Sequence, residues 1–178
     1  MILLKPPLQL TQDQIDTGNI TIFLAGSIEM GKAEDWQSEI QNILQDSSVT
    51  IFSPRRDDWD SSWPQDANFA PFNEQVTWEL DHIDQADMVL MYFDPDTKSP
   101  ITLLELGILS ANPEKVLVCC PQGYWRKGNV DIVCQRYGIP QLETKDEFFD
   151  FVKILADEFS NIPSIDINPP DDIIEPAP

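Results

Sequence analysis

Most groups in this sequence that could do chemistry are carboxylates, and Glu105 stands out among them. It lies in Ser99-Pro100-Ile101-Thr102-Leu103-Leu104-Glu105-Leu106-Gly107-Ile108, an apolar stretch with helical character. Ile101 precedes it by four residues, Ile108 follows by three and Leu109 by four, so helical geometry predicts that they share its face. A carboxylate on a buried helical face costs free energy unless something pairs it or uses it. Two readings follow: a structural carboxylate satisfied by a backbone amide or an arginine, or a group used in a reaction. Glu79 is the second candidate, three residues after Val76 and four before Ile83, beside the apolar stripe Val76, Leu80 and Ile83. That border position also suits simple exposure. Asp81, Asp84 and Asp87 read as a solvated acidic face and a helix end, and His82 as an exposed or satisfied histidine.

Other residues qualify as ligand contacts. Gly26-Ser27 follows an apolar run directly and fits a tight turn where a ligand approaches backbone. Its continuation, Ile28-Glu29-Met30-Gly31, makes neither a dinucleotide fingerprint nor a lysine phosphate loop. Arg55 and Arg56 are conspicuous in an acidic chain; they either meet a phosphate or pair with Asp57 and Asp58. Trp59, Trp63 and Trp125 fall in expected loops, where a ring can stack on a base or cover a sheet edge. With one histidine, no zinc site is expected and no serine or cysteine nucleophile has a clear base. Cys119, Cys120 and Cys134 lack metal-ligand spacing and read as buried thiols of a reducing, cytoplasmic setting.

The elements that must position these groups alternate regularly. Apolar runs at Ile20–Ala25, Val49–Phe52, Met88–Phe93 and Val116–Cys120 predict strands, with a short fifth at Ile139–Leu142. Their continuous, non-alternating character is the habit of a parallel sheet covered on both faces. Helices are predicted over Ala33–Leu44, Phe72–Gln85, Ser99–Ala111, Val130–Arg136 and Asp146–Phe159, with Arg55–Pro71 as a long loop. Serine then proline at 99 and 100 is a helix-start signal. The alternation predicts an α/β, doubly wound, flavodoxin- or Rossmann-like parallel sheet of about five strands in three layers, α/β/α. Ligands of such sheets sit beyond the carboxyl ends of the strands, next to the residues singled out above. Residues 1–19 read as an N-terminal arm, 20–160 as a single catalytic domain and 161–178 as an acidic, proline-rich tail.

Composition narrows the partners. In 178 residues, 11 Lys and Arg face 31 Asp and Glu, a net charge of −20. Such a field repels nucleic-acid polymers and anionic lipid, yet leaves room for one small anionic ligand held by local donors. No apolar run is long enough for a membrane span, and no signal peptide is expected.

In their order and spacing these pieces resemble the nucleoside 2-deoxyribosyltransferase family, in its "-like" branch, from about Ile20 to Gly138. The resemblance rests on Glu105-Leu106-Gly107, on Glu79-Leu80 eight residues before Asp87, on Asn129 in Lys127-Gly128-Asn129-Val130, and on the Gly26 turn. It implies that Glu105 is the nucleophile and that Glu79, where the family has an aspartate, assists base and sugar. It further implies a homo-oligomer in which Asn129 is donated to a neighbour's site. Ser99 departs from the transferase pattern, which has an aspartate holding the 5′-hydroxyl. The deoxynucleoside 5′-monophosphate N-glycosidases look similar here, with a serine for the phosphate. The implied activity is cleavage of the N-glycosidic bond of a 2-deoxyribonucleoside with transfer to another base. Hydrolysis of the 5′-monophosphate, or a catalytically silent nucleotide sensor, are the alternatives. Metal and organic cofactors are not expected.

Overall fold

The strand-forming runs of the sequence become one all-parallel sheet in the computed structural model, which describes residues 1–28, 34–56 and 58–160. The strands are Ile2–Leu4 (β1), Ile20–Gly26 (β2), Val49–Phe52 (β3), Met88–Tyr92 (β4), Val116–Cys119 (β5) and Gln141–Leu142 (β6). Their order is β1-β3-β2-β4-β5-β6, with every neighbouring pair parallel. In register, Phe23 of β2 lies beside Phe52 of β3 and Val89 of β4. Ile22, Phe23 and Leu24 are all fully buried, because alternate residues enter opposite layers and both layers are covered.

The helices supply those layers. Trp36–Ile43 (α2) and Lys145–Ser160 (α6) pack Trp36, Ile40, Phe148 and Val152 against Ile22 and Leu24. Ala70–Gln85 (α3), Pro100–Leu109 (α4) and Lys127–Tyr137 (α5) pack Trp78, Leu106 and Val130 with Phe23 and Ala25. The chain leaves β2 for β3 on one side and returns to β4 on the other. The sheet therefore reverses direction at β2 and β4, and their carboxyl ends open the crevice such folds use for ligands.

Two expectations need correction. The sheet has six strands and not about five, because part of the expected arm is β1: Ile2–Leu4 pair with Thr50–Phe52, and Leu4 is buried. Lys5, Pro6 and Pro7 directly after Ile2-Leu3-Leu4 hid so short a strand. The following segment, which contains the four-residue helix Gln12–Ile15 (α1), is tied down where Trp78 Nε1 donates to the Leu8 carbonyl at 2.7 Å. The inward face of α3 also differs from the expected stripe. Gln75, Trp78, His82 and Ile83 are buried there, while Leu80 is 42% exposed. His82 is stacked on Trp78 with its Nδ1 2.7 Å from the Trp78 carbonyl, so it is a satisfied core group at that nitrogen. The expected tail at 161–178 lies outside the described residues, as do Ala33 and Asp57.

Cys119, Cys120 and Cys134 are free and buried, and burial pushes the first two thiols up to about 12 and the third to about 11. Among the described residues no helix is long and apolar enough to cross a membrane.

Gly26 closes β2 with φ +149°. A Cβ there would run into the Tyr92 carbonyl oxygen and stand 2.8 Å from a ring carbon of Trp36. Gly26→Ala is expected to lower stability by about 3 kcal/mol through this overlap and the backbone strain. Chemical denaturation checks it. Gly128→Ala is the control, since a Cβ at Gly128 meets nothing within 4 Å.

Candidate active site

Because Gly26 lets β2 end against β4, Ser27 comes to rest beside the loop that leaves β4. The Ser27 N–H donates to the Tyr92 carbonyl at 3.1 Å, and the Asp94 N–H donates to Ser27 Oγ at 3.0 Å. Trp36 Nε1 fixes the Ser27 carbonyl from the other side at 3.0 Å. Thr97 Oγ1 then lies 2.7 Å from Ser27 Oγ and 2.8 Å from Ser99 Oγ, and the two serine hydroxyls touch each other directly. All three residues are buried. Ser99 precedes α4 in a left-handed conformation, φ 43° and ψ 56°, which costs an L-residue about 1 kcal/mol or more. Its hydroxyl makes no capping bond to the helix and is turned to Ser27 and Thr97 instead. The result is a knot of three hydroxyls at the positive end of α4.

Glu105 sits on α4 with Thr102, Leu106 and Leu109 as its buried companions. The face predicted from spacing is corrected on this point. Ile101 and Ile108 are 57% and 44% exposed, and Leu104 is 62% exposed. A helix apolar on every side carries no periodic signal to say which side goes in. The burial of Glu105 itself follows the expectation, with 7% of its surface exposed. Burial, and then the charge of Glu79, push its carboxyl up to about 8. No described residue forms an ion pair with it.

Glu79 approaches from α3. Its burial pushes the carboxyl above the usual range, and a hydrogen bond from Gln75 Nε2 to Glu79 Oε1 at 2.8 Å pulls it back. The two glutamates therefore form an electrostatically coupled pair from adjacent helices, in which the second negative charge is resisted by the first. Such a pair can hold one proton and one charge together, which suits a nucleophile working beside an acid.

The remaining predicted residues have partners of their own. Arg55 Nη1 lies 3.0 Å from Asp35 Oδ1 at the start of α2, and Arg56 is engaged by Asp58 and Glu74. Trp59 meets Trp63 edge-on at 5.2 Å, and Trp63 meets Phe69 at 6.0 Å, so Trp59 belongs to an aromatic cluster in the long loop. Asn129 stands elsewhere. It lines a groove of about 330 Å³ between α4 and α5 with Leu103, Leu106, Gly107 and Arg126. Sequence reasoning passed over three residues here. Thr97 completes the hydroxyl knot, and Gln75 holds Glu79. Gln37 on α2 is fully buried with neither amide atom partnered among the described residues. Only the last two carried a signal, a polar amide at an inward helical position. Among the described residues no group of three His, Cys, Asp or Glu is placed to hold a metal.

Glu105 keeps its proton in the folded chain up to about pH 8, whereas the unfolded chain releases it near the ordinary carboxylate value. Stability attached to this group is thus complete in acid and is lost progressively as pH rises toward 8. Glu105→Gln removes the loss. The variant is expected to match the parent near pH 5 and to exceed it by up to about 4 kcal/mol near pH 8, measured by denaturant unfolding at both pH values.

The sequence model of a family described as "Nucleoside 2-deoxyribosyltransferase like" matches residues 19–124, more than half of the chain. A solved structure titled "Crystal structure of conserved protein from Enterococcus faecalis V583" is similar in fold, with a TM-score of 0.54 at 12% identity over 77% of this chain and 99% of that one. At that identity it supports the fold alone. No curated protein matches the chain.

Proposed function

The chain belongs to the nucleoside 2-deoxyribosyltransferase-like family, and from that premise we propose that it cleaves the N-glycosidic bond of 2-deoxyribonucleosides through a glycosyl ester on Glu105 and transfers the sugar to another base. The observation that carries this reading is a buried carboxyl on the helix after β4, unpaired by any described cation and opposed by the charge of a second carboxyl.

The chemistry follows from the pair. A Glu105 carboxylate oxygen attacks C1′ of the sugar while the C1′–N bond breaks, and the electron pair leaves with the base. Glu79 delivers the proton that the departing base nitrogen needs. Positive charge grows on the sugar ring in the transition state, and a carboxylate in low dielectric stabilises it more than water would. A second base, activated by Glu79 as it takes the proton back, then displaces the ester and regenerates Glu105. No metal or organic cofactor enters these steps.

A second reading has its own observation. Ser27, Thr97 and Ser99 put three hydroxyls at the N-terminal end of α4, where a carboxylate would repel a phosphate and hydroxyls can donate to one. That arrangement favours a 5′-monophosphate substrate, with water as the acceptor. Assays of base release and base exchange on thymidine, deoxyadenosine and their monophosphates separate the readings. Free base without exchange from the monophosphates supports hydrolysis; binding without base release supports a sensor. Ser99→Asp is expected to lower turnover of a monophosphate at least about tenfold more than turnover of the nucleoside, by charge repulsion.

The central prediction concerns the nucleophile. Glu105→Gln and Glu105→Ala are expected to lose on the order of a thousandfold or more in base release while folding normally. In the parent, kcat/KM is expected to decline above about pH 8, where the pair loses its single proton. Near-normal turnover in either variant rules out the ester.

We also propose that the protein works as a homo-oligomer in which Asn129 completes a neighbour's site. Ile101, Leu104 and Ile108 form an exposed apolar row on α4, and the groove holding Asn129 runs beside that helix. Mixing Asn129→Ala with Glu105→Gln is expected to restore part of the activity that each lacks alone, since a mixed assembly holds some intact sites. Absence of recovery, with co-assembly confirmed by sedimentation, overturns the shared site.

A further inference from the structure

Gln75 is an inward-facing amide that links the segment after β3 to a carboxyl on its own helix. It is 5% exposed on α3, and its Nε2 donates one hydrogen to the Pro54 carbonyl at 3.0 Å and the other to Glu79 Oε1 at 2.8 Å. Both donors are spent on oxygens, so the amide cannot flip, because a flip would set its own oxygen against two acceptors. The locked orientation leaves Gln75 Oε1 buried with no hydrogen-bond partner among the described residues. An orphaned buried acceptor is a free-energy cost, and an apolar side chain of the same length would avoid it. What the amide achieves in return is a donor aimed at one oxygen of one carboxyl in a coupled pair.

We propose that Gln75 is a positioning residue that decides which of the two acids is ionised: by donating to Glu79 it keeps the negative charge on Glu79 and leaves the proton on Glu105 while the site is empty. This rests on the reading of Glu105 and Glu79 as the reacting pair. An empty site then holds a capped nucleophile. When substrate enters, the proton passes from Glu105 to Glu79 and on to the base nitrogen. The Glu105 oxygen bonds to C1′, the C1′–N bond breaks, and its electrons leave on the base that receives the proton. The pair begins and ends with one negative charge, resting on Glu79 once Glu105 is esterified. Gln75 is thereby also a brake on premature attack by Glu105 on anything else in the crevice.

The surroundings leave that assignment to Gln75. Among the described residues, Glu79 is the one charge shifting Glu105. Charged groups on adjoining segments are engaged with other partners: Arg55 with Asp35, and Arg56 with Asp58 and Glu74 after β3. After β4, Asp94 accepts from the Asp96 and Glu34 N–H groups. On α3, His82 is bound to the Trp78 carbonyl and feels Asp81. Arg126, at the start of α5, lies over the Trp125 ring.

The test needs no turnover. Full-length protein labelled with carbon-13 at glutamate side-chain carboxyls is titrated by NMR without substrate, with Glu79→Gln and Glu105→Gln assigning the two signals. In the parent, Glu79 is expected to titrate at lower pH than Glu105. In Gln75→Met the Glu79 midpoint is expected to rise by about one pH unit and the Glu105 midpoint to fall, the shift a charge-assisted hydrogen bond supports. Gln75→Leu is titrated in the same way should the methionine variant not fold. Glu105 ionising first in the parent, or midpoints unmoved in the variants, overturns the proposal. An inactive protein whose midpoints shift as described would leave the proton assignment standing and remove the catalytic reading alone. An active protein whose midpoints ignore Gln75 would do the reverse.

Discussion

A carboxyl group is held among apolar side chains with no cation paired to it among the described residues, and the architecture around it is arranged to tolerate that. Glu105 is carried by α4, a helix anchored by Leu106 and Leu109 in the layer that also takes Phe23 and Ala25 of β2. Packing of those neighbours holds the acid in a low dielectric that it would otherwise escape by turning outward. The same low dielectric makes Glu79, on the next helix, strongly felt. What is a cost in stability is the source of the pair's unusual proton affinity, a trade common where a fold carries a reactive group.

The hydroxyl knot follows from where the sheet reverses direction. Because β2 has β3 on one side and β4 on the other, the segments after β2 and β4 meet, and Ser27 reaches Thr97 and Ser99 across 70 and 72 residues of sequence. Gly26 makes that approach possible by having no side chain where the Tyr92 carbonyl passes. The left-handed Ser99 completes it, directing its hydroxyl away from the helix it precedes. Backbone strain at Ser99 and a missing Cβ at Gly26 thus serve one local construction.

Much of this was legible before any coordinates. The strands β2 to β5 are continuous apolar runs of four to seven residues, and their burial on both faces is what such runs mean. Glu105 was legible for the complementary reason, as a charge where only apolar residues belong. The misreadings came where pattern carries no direction. α4 is apolar all round, so spacing placed Ile101 and Ile108 inward with Glu105 when both face out. On α3 the inward positions hold Gln75, Trp78 and His82, whose polar atoms disguise a core face and made Leu80 seem the better candidate. β1 was too short to register, and its stability comes from pairing with β3 instead of from its own three residues. The hydroxyl knot could not be read at all, since contact between Ser27 and Ser99 depends on two strand ends meeting.

The thiols of Cys119, Cys120 and Cys134 are hidden in β5, just beyond it and in α5, and each resists ionising far past neutrality. An alkylating reagent at neutral pH therefore finds no thiolate to attack while the chain is closed. Its uptake would count openings of that half of the sheet, giving the molecule an internal clock for its own breathing that requires no dye and no engineered label.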